Sequence, residues 1–229
     1  MDIQIYASGS TGNCYKISDG TTSVLLDCGI PVRAIQIKCN FNLDDITACL
    51  VSHSHKDHSK AATELARLGV DIYTSEGTIA DCGLTGHRIK AVEALKQFKA
   101  GTFNVMPFDV QHDAPDPLGF LIESTVTKDK LLYFTDSFYI KYRFTGLTHI
   151  MAECNYDKQT LDENTSSGVI CGELRNRILR SHMSLEHLKA NDLSKVRQVN
   201  LMHLSKGNSN EKHIKAEMQK LTGTEVYVC

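Results

Sequence analysis

The sequence predicts an α/β sandwich in which early β-hairpins give way to alternating strands and helices. Three observations carry this. Short strand signals at 3–7, 14–18 and 23–27 are separated by glycine-containing turns. From residue 148 onward, apolar runs of strand length alternate with helical stretches. The 229 residues, 41% of them hydrophobic, contain no Pro/Ser/Gly-rich linker, internal repeat or low-complexity tract. One domain over residues 1–229 with a sizeable core is therefore expected.

Taken in order, Ile3 and Ile5 alternate as in a strand, so the chain is expected to begin inside the fold, without a signal peptide. Pro31 suits the first turn of a short helix over 31–37. A polar break at 42–45 precedes a strand at 47–52. A helix is expected from Ser59, as N-cap, to Gly69, with Ala62, Leu65, Ala66 and Leu68 as its apolar face. Residues 70–74 read as a strand, and 75–82 and 89–98 as helices or turns. Strands at 103–110, 118–125 and 130–135 follow, with a turn at Thr127-Lys128-Asp129. The second half reads as strand 148–154, helix 157–180, strand 197–203, helix 209–221 and strand 225–228.

The eight cysteines contain no CxxC pair, and several lie in apolar runs. Buried thiols in a reducing cytoplasm fit this better than the disulfides of an exported protein. No apolar run approaches membrane-spanning length. A net charge of −2 and a pI near 6.5 argue against a DNA-coating protein. They leave room for a nuclease in which metals and a few arginines carry the phosphate contacts.

Residues 53–58 read His-Ser-His-Lys-Asp-His, between the apolar run Ala48-Cys49-Leu50-Val51 and a helix signal. Imidazole and carboxylate are donors that zinc, manganese and iron accept. In an extended segment His53 and His55 project to the same side, and Asp57 and His58, where the chain turns, can face a second ion.

The pattern resembles the HxHxDH motif of the metallo-β-lactamase superfamily, whose further ligands are a lone His, a bridging Asp and a C-terminal His, each after a strand. Here these would be His112, Asp136 and His203. Taken singly, His112 could be a satisfied loop histidine and Asp136 a helix cap; the ordered set favours ligation. Ser8-Gly9-Ser10-Thr11-Gly12-Asn13-Cys14, Leu26-Asp27-Cys28-Gly29, Glu153-Cys154-Asn155-Tyr156-Asp157 and His203-Leu204-Ser205 with Asn208 resemble the YycJ/WalJ-like, RNase Z-related branch. The resemblance implies a four-layer αβ/βα sandwich of two mixed sheets flanked by helices. It also implies two divalent ions, zinc before manganese. His53, His55 and His112 would hold one ion, Asp57, His58 and His203 the other, with Asp136 bridging. Two cations about 3.5–4 Å apart can hold a hydroxide for in-line attack at phosphorus.

Ser181-His182-Met183-Ser184 is similar to an RNase Z-like motif that supplies a non-ligand His to protonate the leaving oxygen. Ser181 and Leu185 depart from the glycine and asparagine expected beside it in the YycJ-type pattern. Asp57 would share the proton handling. Arg177 and Arg180 share a helical face suited to a phosphate, as well as to a solvated surface. Asn155 is a further candidate substrate contact. Asp27 reads as an internal hydrogen-bond acceptor, the 8–13 loop as a tight turn, and His87, His149, His187 and His213 as surface residues. The short interval between Asp136 and His182 leaves little room for a long protruding arm, so the tRNA-docking arm of RNase Z is expected to be missing, as is an inserted lobe of the β-CASP kind.

A cytoplasmic metal-dependent phosphodiesterase, a DNA or RNA nuclease, is therefore expected. Alternatives are a cyclic-nucleotide phosphodiesterase and, further off, a thioester or lactone hydrolase. The expected partner is a nucleic acid or nucleotide substrate, with no membrane; a homodimer is compatible.

Overall fold

The structure, a computed structural model, describes residues 1–190, 193 and 195–229. The described residues form thirteen strands, in two mixed sheets, and eight helices. By its internal contacts the chain divides into two compact units, residues 1–109 with 114–129, and residues 110–113 with 130–229.

The first unit opens with an antiparallel meander of β1 (Asp2–Ala7), β2 (Cys14–Ser18) and β3 (Ser23–Leu26). The pairing then turns parallel, adding β4 (Ile46–Leu50), β5 (Asp71–Thr74) and β6 (Ile89–Ala91) in chain order. Parallel neighbours need crossovers. These carry α1 (Val32–Lys38), then α2 (Lys56–Ser59) and α3 (Ala62–Arg67), then α4 (Glu76–Cys82). Leu25, Cys49 and Ile72 of the sheet pack in one core with Ile35 of α1 and Leu65 of α3. An antiparallel run of β7 (Phe98–Ala100), β8 (Phe103–Asp109) and β9 (Leu118–Ser124) completes the unit.

The second unit holds four parallel strands, β10 (Lys130–Phe134), β11 (His149–Glu153), β12 (Gln198–Met202) and β13 (Glu225–Val228). The apolar residues of β10, β11 and β12 are buried without alternation, as parallel strands covered on both faces require. The helices α5 (Lys158–Ser166), α6 (Gly172–Ser181) and α7 (Leu185–Lys189) connect β11 to β12, and α8 (Glu211–Thr222) connects β12 to β13.

Four expectations are corrected. The helix read from Ser59 is two short helices, α2 beginning at Lys56 and α3 at Ala62; Ser59 ends the first, its Oγ donating to the Ser54 carbonyl at 2.8 Å. Residues 89–98 supply β6 and the start of β7, three-residue strands too short to show a period. The helix read over 157–180 is broken between Ser166 and Gly172, where Gly168 takes a φ of 76°. His149 is buried at the start of β11, its Nδ1 2.8 Å from Thr148 Oγ1. All eight cysteines are free thiols. Burial pushes Cys14, Cys49 and Cys154 up, so they stay protonated and pack as small apolar groups.

Asp19, in the β2–β3 turn, ties the meander to the β7–β9 run. Its Oδ1 accepts from Thr21 and Thr22 backbone N–H at 3.0 and 2.9 Å, and its Oδ2 from Thr102 and Ser124 hydroxyls at 2.6 and 2.7 Å. Burial alone would raise this carboxyl, but the four donors outweigh it and hold it at about 2. Asp19→Ala leaves these donors without their acceptor and is expected to destabilise the protein by about 2–4 kcal/mol, read from urea unfolding at neutral pH. Because the folded value lies below the unfolded one of about 3.9, the charged form stabilises the fold in full above about pH 5. That contribution declines as pH falls below about 4 and is gone below about 2. The wild-type/variant difference should narrow over the same range. A difference constant from pH 7 to pH 2 would refute the assignment.

Candidate metal centre

The His-rich loop of the first unit leaves β4 and enters α2. Its carbonyls are gripped by two other loops. Asp57 O accepts from Asn13 N at 2.7 Å, and His58 O from Cys28 N at 2.8 Å, while Gly29 N donates to Asn13 O at 2.8 Å. A Cβ on Gly29 would stand 1.6 Å from Asp57 O, so only glycine lets the chains approach this closely. The Ser8–Asn13 loop is the expected tight turn, Asn13 Oδ1 accepting from Gly9 N at 2.9 Å.

Asp27, fully buried, fixes the rings. It accepts from Ser52 N at 2.7 Å, from Ser52 Oγ at 3.0 Å and from His58 Nδ1 at 2.7 Å. Since Ser52 gives its hydroxyl proton to Asp27, its lone pair receives His53 Nδ1–H, 3.0 Å away. Both imidazoles therefore present Nε2 as the acceptor atom, the form a metal requires. The His53 ring lies 4.8 Å from that of His55 and 4.2 Å from that of His58. Asp57 Oδ2 stands 3.5 Å from His58 Nε2, and Asn13 Nδ2 3.1 Å from it. The unit thus brings His53, His55, Asp57 and His58 together.

The second unit gathers Asp136, Glu153, His182 and His203, with one ligand atom from each within 4.8 Å of the others. The register explains this. Phe134 lies opposite Ala152, and Ala152 opposite Leu201, so the residues that follow collect at the carboxyl ends of β10, β11 and β12. Open parallel sheets place their ligands at this edge. His182 comes from the end of α6 and Asn155 from the loop after β11; Asn155 Nδ2 donates to His203 O at 3.0 Å, holding the loop that carries the imidazole. His112 is carried by a loop whose Gln111 N donates to Ser137 Oγ at 3.1 Å, beside Asp136. Arg177 and Arg180 lie exposed on α6, whereas Arg175 pairs with Asp162 at 2.8 Å.

Glu153 was not among the expected site residues. It is fully buried, accepting His182 Nδ1–H at 2.6 Å, with Ser137 N at 3.2 Å, Met183 N at 3.3 Å and His203 Nδ1 at 3.4 Å. Its signal was a carboxylate closing the apolar run Ile150-Met151-Ala152, as Asp136 and His203 close theirs. Burial alone would lower His203, but Asp136, at 2.9 Å, and Glu153 raise it to about 10. Burial opposes and the Glu153 and Asp136 carboxylates raise His182 as well. Two carboxylates in a buried site call for positive charge, which a proton on His203 or a divalent cation can supply. Imidazole and carboxylate in this proportion suit zinc or manganese. Asp27, Asp136 and His203 all have positive φ, of 55°, 48° and 56°.

Comparison with known proteins agrees with this geometry. Residues 22–204 match the family model described as a beta-lactamase superfamily domain. The chain is 28% identical to the exodeoxyribonuclease YycJ of Bacillus anthracis over 70% of this chain and 65% of that protein, just under two thirds of its length. It is also 28% identical to the exodeoxyribonuclease WalJ of Streptococcus pneumoniae, covering 90% of this chain and 82% of that one. The metallo-β-lactamase fold protein YhfI from Bacillus subtilis superposes with a TM-score of 0.72 at 17% identity, covering 99% of this chain and 95% of its own. Two mixed sheets flanked by helices are thus the metallo-β-lactamase fold.

Asp27→Asn should weaken metal binding by about 10–100-fold, because an amide no longer enforces the Nε2-acceptor form of both rings. Competition against a colorimetric chelator measures this, with circular dichroism confirming the fold. Gly29→Ala forces the His-rich loop away from Asn13 and should lower stability by about 1–3 kcal/mol while weakening metal binding. Unaltered metal affinity in both variants would remove the scaffold role given to these residues.

Proposed function

The chain belongs to the beta-lactamase superfamily, and on that premise we propose that it is a metal-dependent phosphodiesterase, a nuclease of DNA or RNA, with residues 1–229 working as one domain. The ligands follow the order of the motif. His53, His55 and His112 take one ion; Asp57, His58 and His203 take the other; Asp136 serves both, with zinc the first candidate and manganese the second. Bound divalent ions supply an activated water and stabilise charge at phosphorus.

The observation that carries this reading is the Glu153–His182 pair at 2.6 Å. An ionised carboxylate can only accept, so His182 Nδ1 donates to Glu153 and Nε2 is the ring atom that faces a substrate. Buried Glu153 holds the ring in one orientation, which a proton donor to a departing alkoxide requires. A thiolate leaves without such help, so the pair favours phosphodiester over thioester cleavage. Asp57, partly exposed, is the second group placed to move a proton. The named activity of the relatives supports a polymeric nucleic acid over a cyclic mononucleotide. Free thiols throughout support a reducing compartment such as the cytoplasm.

Purified protein is expected to contain close to two ions per chain by elemental analysis, and His53→Ala and Asp136→Ala each to lose metal together with activity. Metal-free protein that hydrolyses substrate in excess chelator would sink this reading. His182→Ala should retain both ions while kcat on an ordinary phosphodiester falls by about 10²–10⁴. The loss should shrink on bis-p-nitrophenyl phosphate, whose nitrophenolate leaves unprotonated. Equal losses on the two substrates, or a lost ion, would reassign His182 as a ligand or an orienting group. Turnover of cyclic nucleotides without cleavage of DNA or RNA would promote the cyclic-nucleotide reading.

A further inference from the structure

The segment that follows Asp136 reads Phe138-Tyr139-Ile140-Lys141-Tyr142-Arg143-Phe144. It holds four of the chain's sixteen phenylalanines and tyrosines and two cations, and no acidic residue lies between Asp136 and Glu153. Its burial alternates: Tyr139, Lys141 and Arg143 are exposed, whereas Ile140, Tyr142 and Phe144 are half-buried. Such alternation belongs to an extended chain, in which residues two apart project to the same side about 6.5 Å from each other. Tyr139 is 52% exposed, and Lys141 Nζ stands 5.1 Å from the centroid of the Tyr142 ring.

The segment is tied to the proton-handling cluster. Ser137 N donates to Glu153 Oε2 at 3.2 Å, and Ser137 Oγ to Tyr139 O at 2.9 Å. His187 Nδ1 of α7 donates to Phe138 O at 3.0 Å. Beside it opens a small cleft of about 120 Å³ walled by residues 139–143 with Met183, His187 and Ala190. Met183 follows His182 in the chain and donates its own N–H to Glu153 at 3.3 Å.

We propose that residues 139–143 and this cleft form a seat for single-stranded nucleic acid, Tyr139 stacking on an unpaired base while Lys141 and Arg143 hold consecutive phosphates. Interleaved aromatic and basic side chains are what a single strand recognises, because every base offers a face and every linkage a charge. A duplex keeps its base faces stacked inside and has no use for Tyr139. A cyclic mononucleotide offers one phosphate where the segment presents two cations. The proposal rests on the nuclease reading and makes it specific: the seat adjoins His182, so the strand it holds leads to the reacting phosphate.

The test uses the protein as purified with its metals and a fluorescein-labelled phosphorothioate oligo(dT) of about twelve nucleotides, which resists cleavage. Fluorescence anisotropy should show binding that Tyr139→Ala weakens about 5–100-fold, the range of one lost base–aromatic stack, and that Tyr139→Phe retains. Lys141→Ala and Arg143→Ala should each reduce the slope of log affinity against log salt by about 0.7. On cleavable oligo(dT), Tyr139→Ala should lose about 5–100-fold more kcat/KM than on bis-p-nitrophenyl phosphate. Absence of oligo(dT) binding by the wild type, tighter binding of the matching duplex, or Tyr139→Ala indistinguishable from wild type would each overturn the seat. Tyr139-dependent binding with no cleavage of any nucleic acid would uphold the seat and defeat the nuclease reading.

Discussion

The buried carboxylate of Asp27 is the interaction on which the His-rich loop of the first unit depends. A charge away from water must be met by donors, and here these are the backbone and hydroxyl of Ser52 and the ring of His58. One group thereby sets the tautomers of two imidazoles, one directly and one through a hydroxyl. The surrounding loops keep it in place: Asn13 and Cys28 grip the carbonyls of Asp57 and His58 by backbone bonds, and Gly29 N ties the two gripping loops together by donating to Asn13 O.

The cluster of the second unit is organised differently. Its donors stand at the carboxyl ends of parallel strands, so the sheet determines their spacing and the buried runs of β10, β11 and β12 determine the sheet. Asp136 and Glu153 lie together in a site shielded from solvent, which without neighbouring positive charge would be costly. A proton on His203 meets that need in the protein alone. Glu153 is the hub: it touches both imidazoles and the backbone of Ser137 and Met183, so the strand end, the α6 terminus and the segment after Asp136 are held by one side chain.

What was legible in the sequence is what is local. The strands of β2 and β13 fall at the bounds expected of them, because their apolar patterns are bounded by turn residues. The His53–His58 cluster is legible because its donors are consecutive. Asp27 as an internal acceptor also agrees. Less legible was whatever depends on distant partners. Glu153 closes an apolar run as Asp136 and His203 do, but its partners become visible only when β11 is set beside β10 and β12. His149 looks like a surface residue in sequence and is buried because β11 is central among the strands of its unit. The helix expected from Ser59 was misplaced because His55, not Ser59, stands at the N-cap, where no side-chain bond marks the start.

The left-handed backbone at Asp27, Asp136 and His203 restricts what can stand at these positions more than donor chemistry does. Glutamate and cysteine can also hold a divalent ion, but neither settles readily where φ is positive; aspartate, asparagine and histidine are the non-glycine residues that do. At each of the three positions the side chain that suits the chemistry is also one that suits the bend. The alphabet open to substitution there is accordingly narrow. Exchanging one donor type for another, to alter which metal is preferred, would work first against the main chain and only then against the ion.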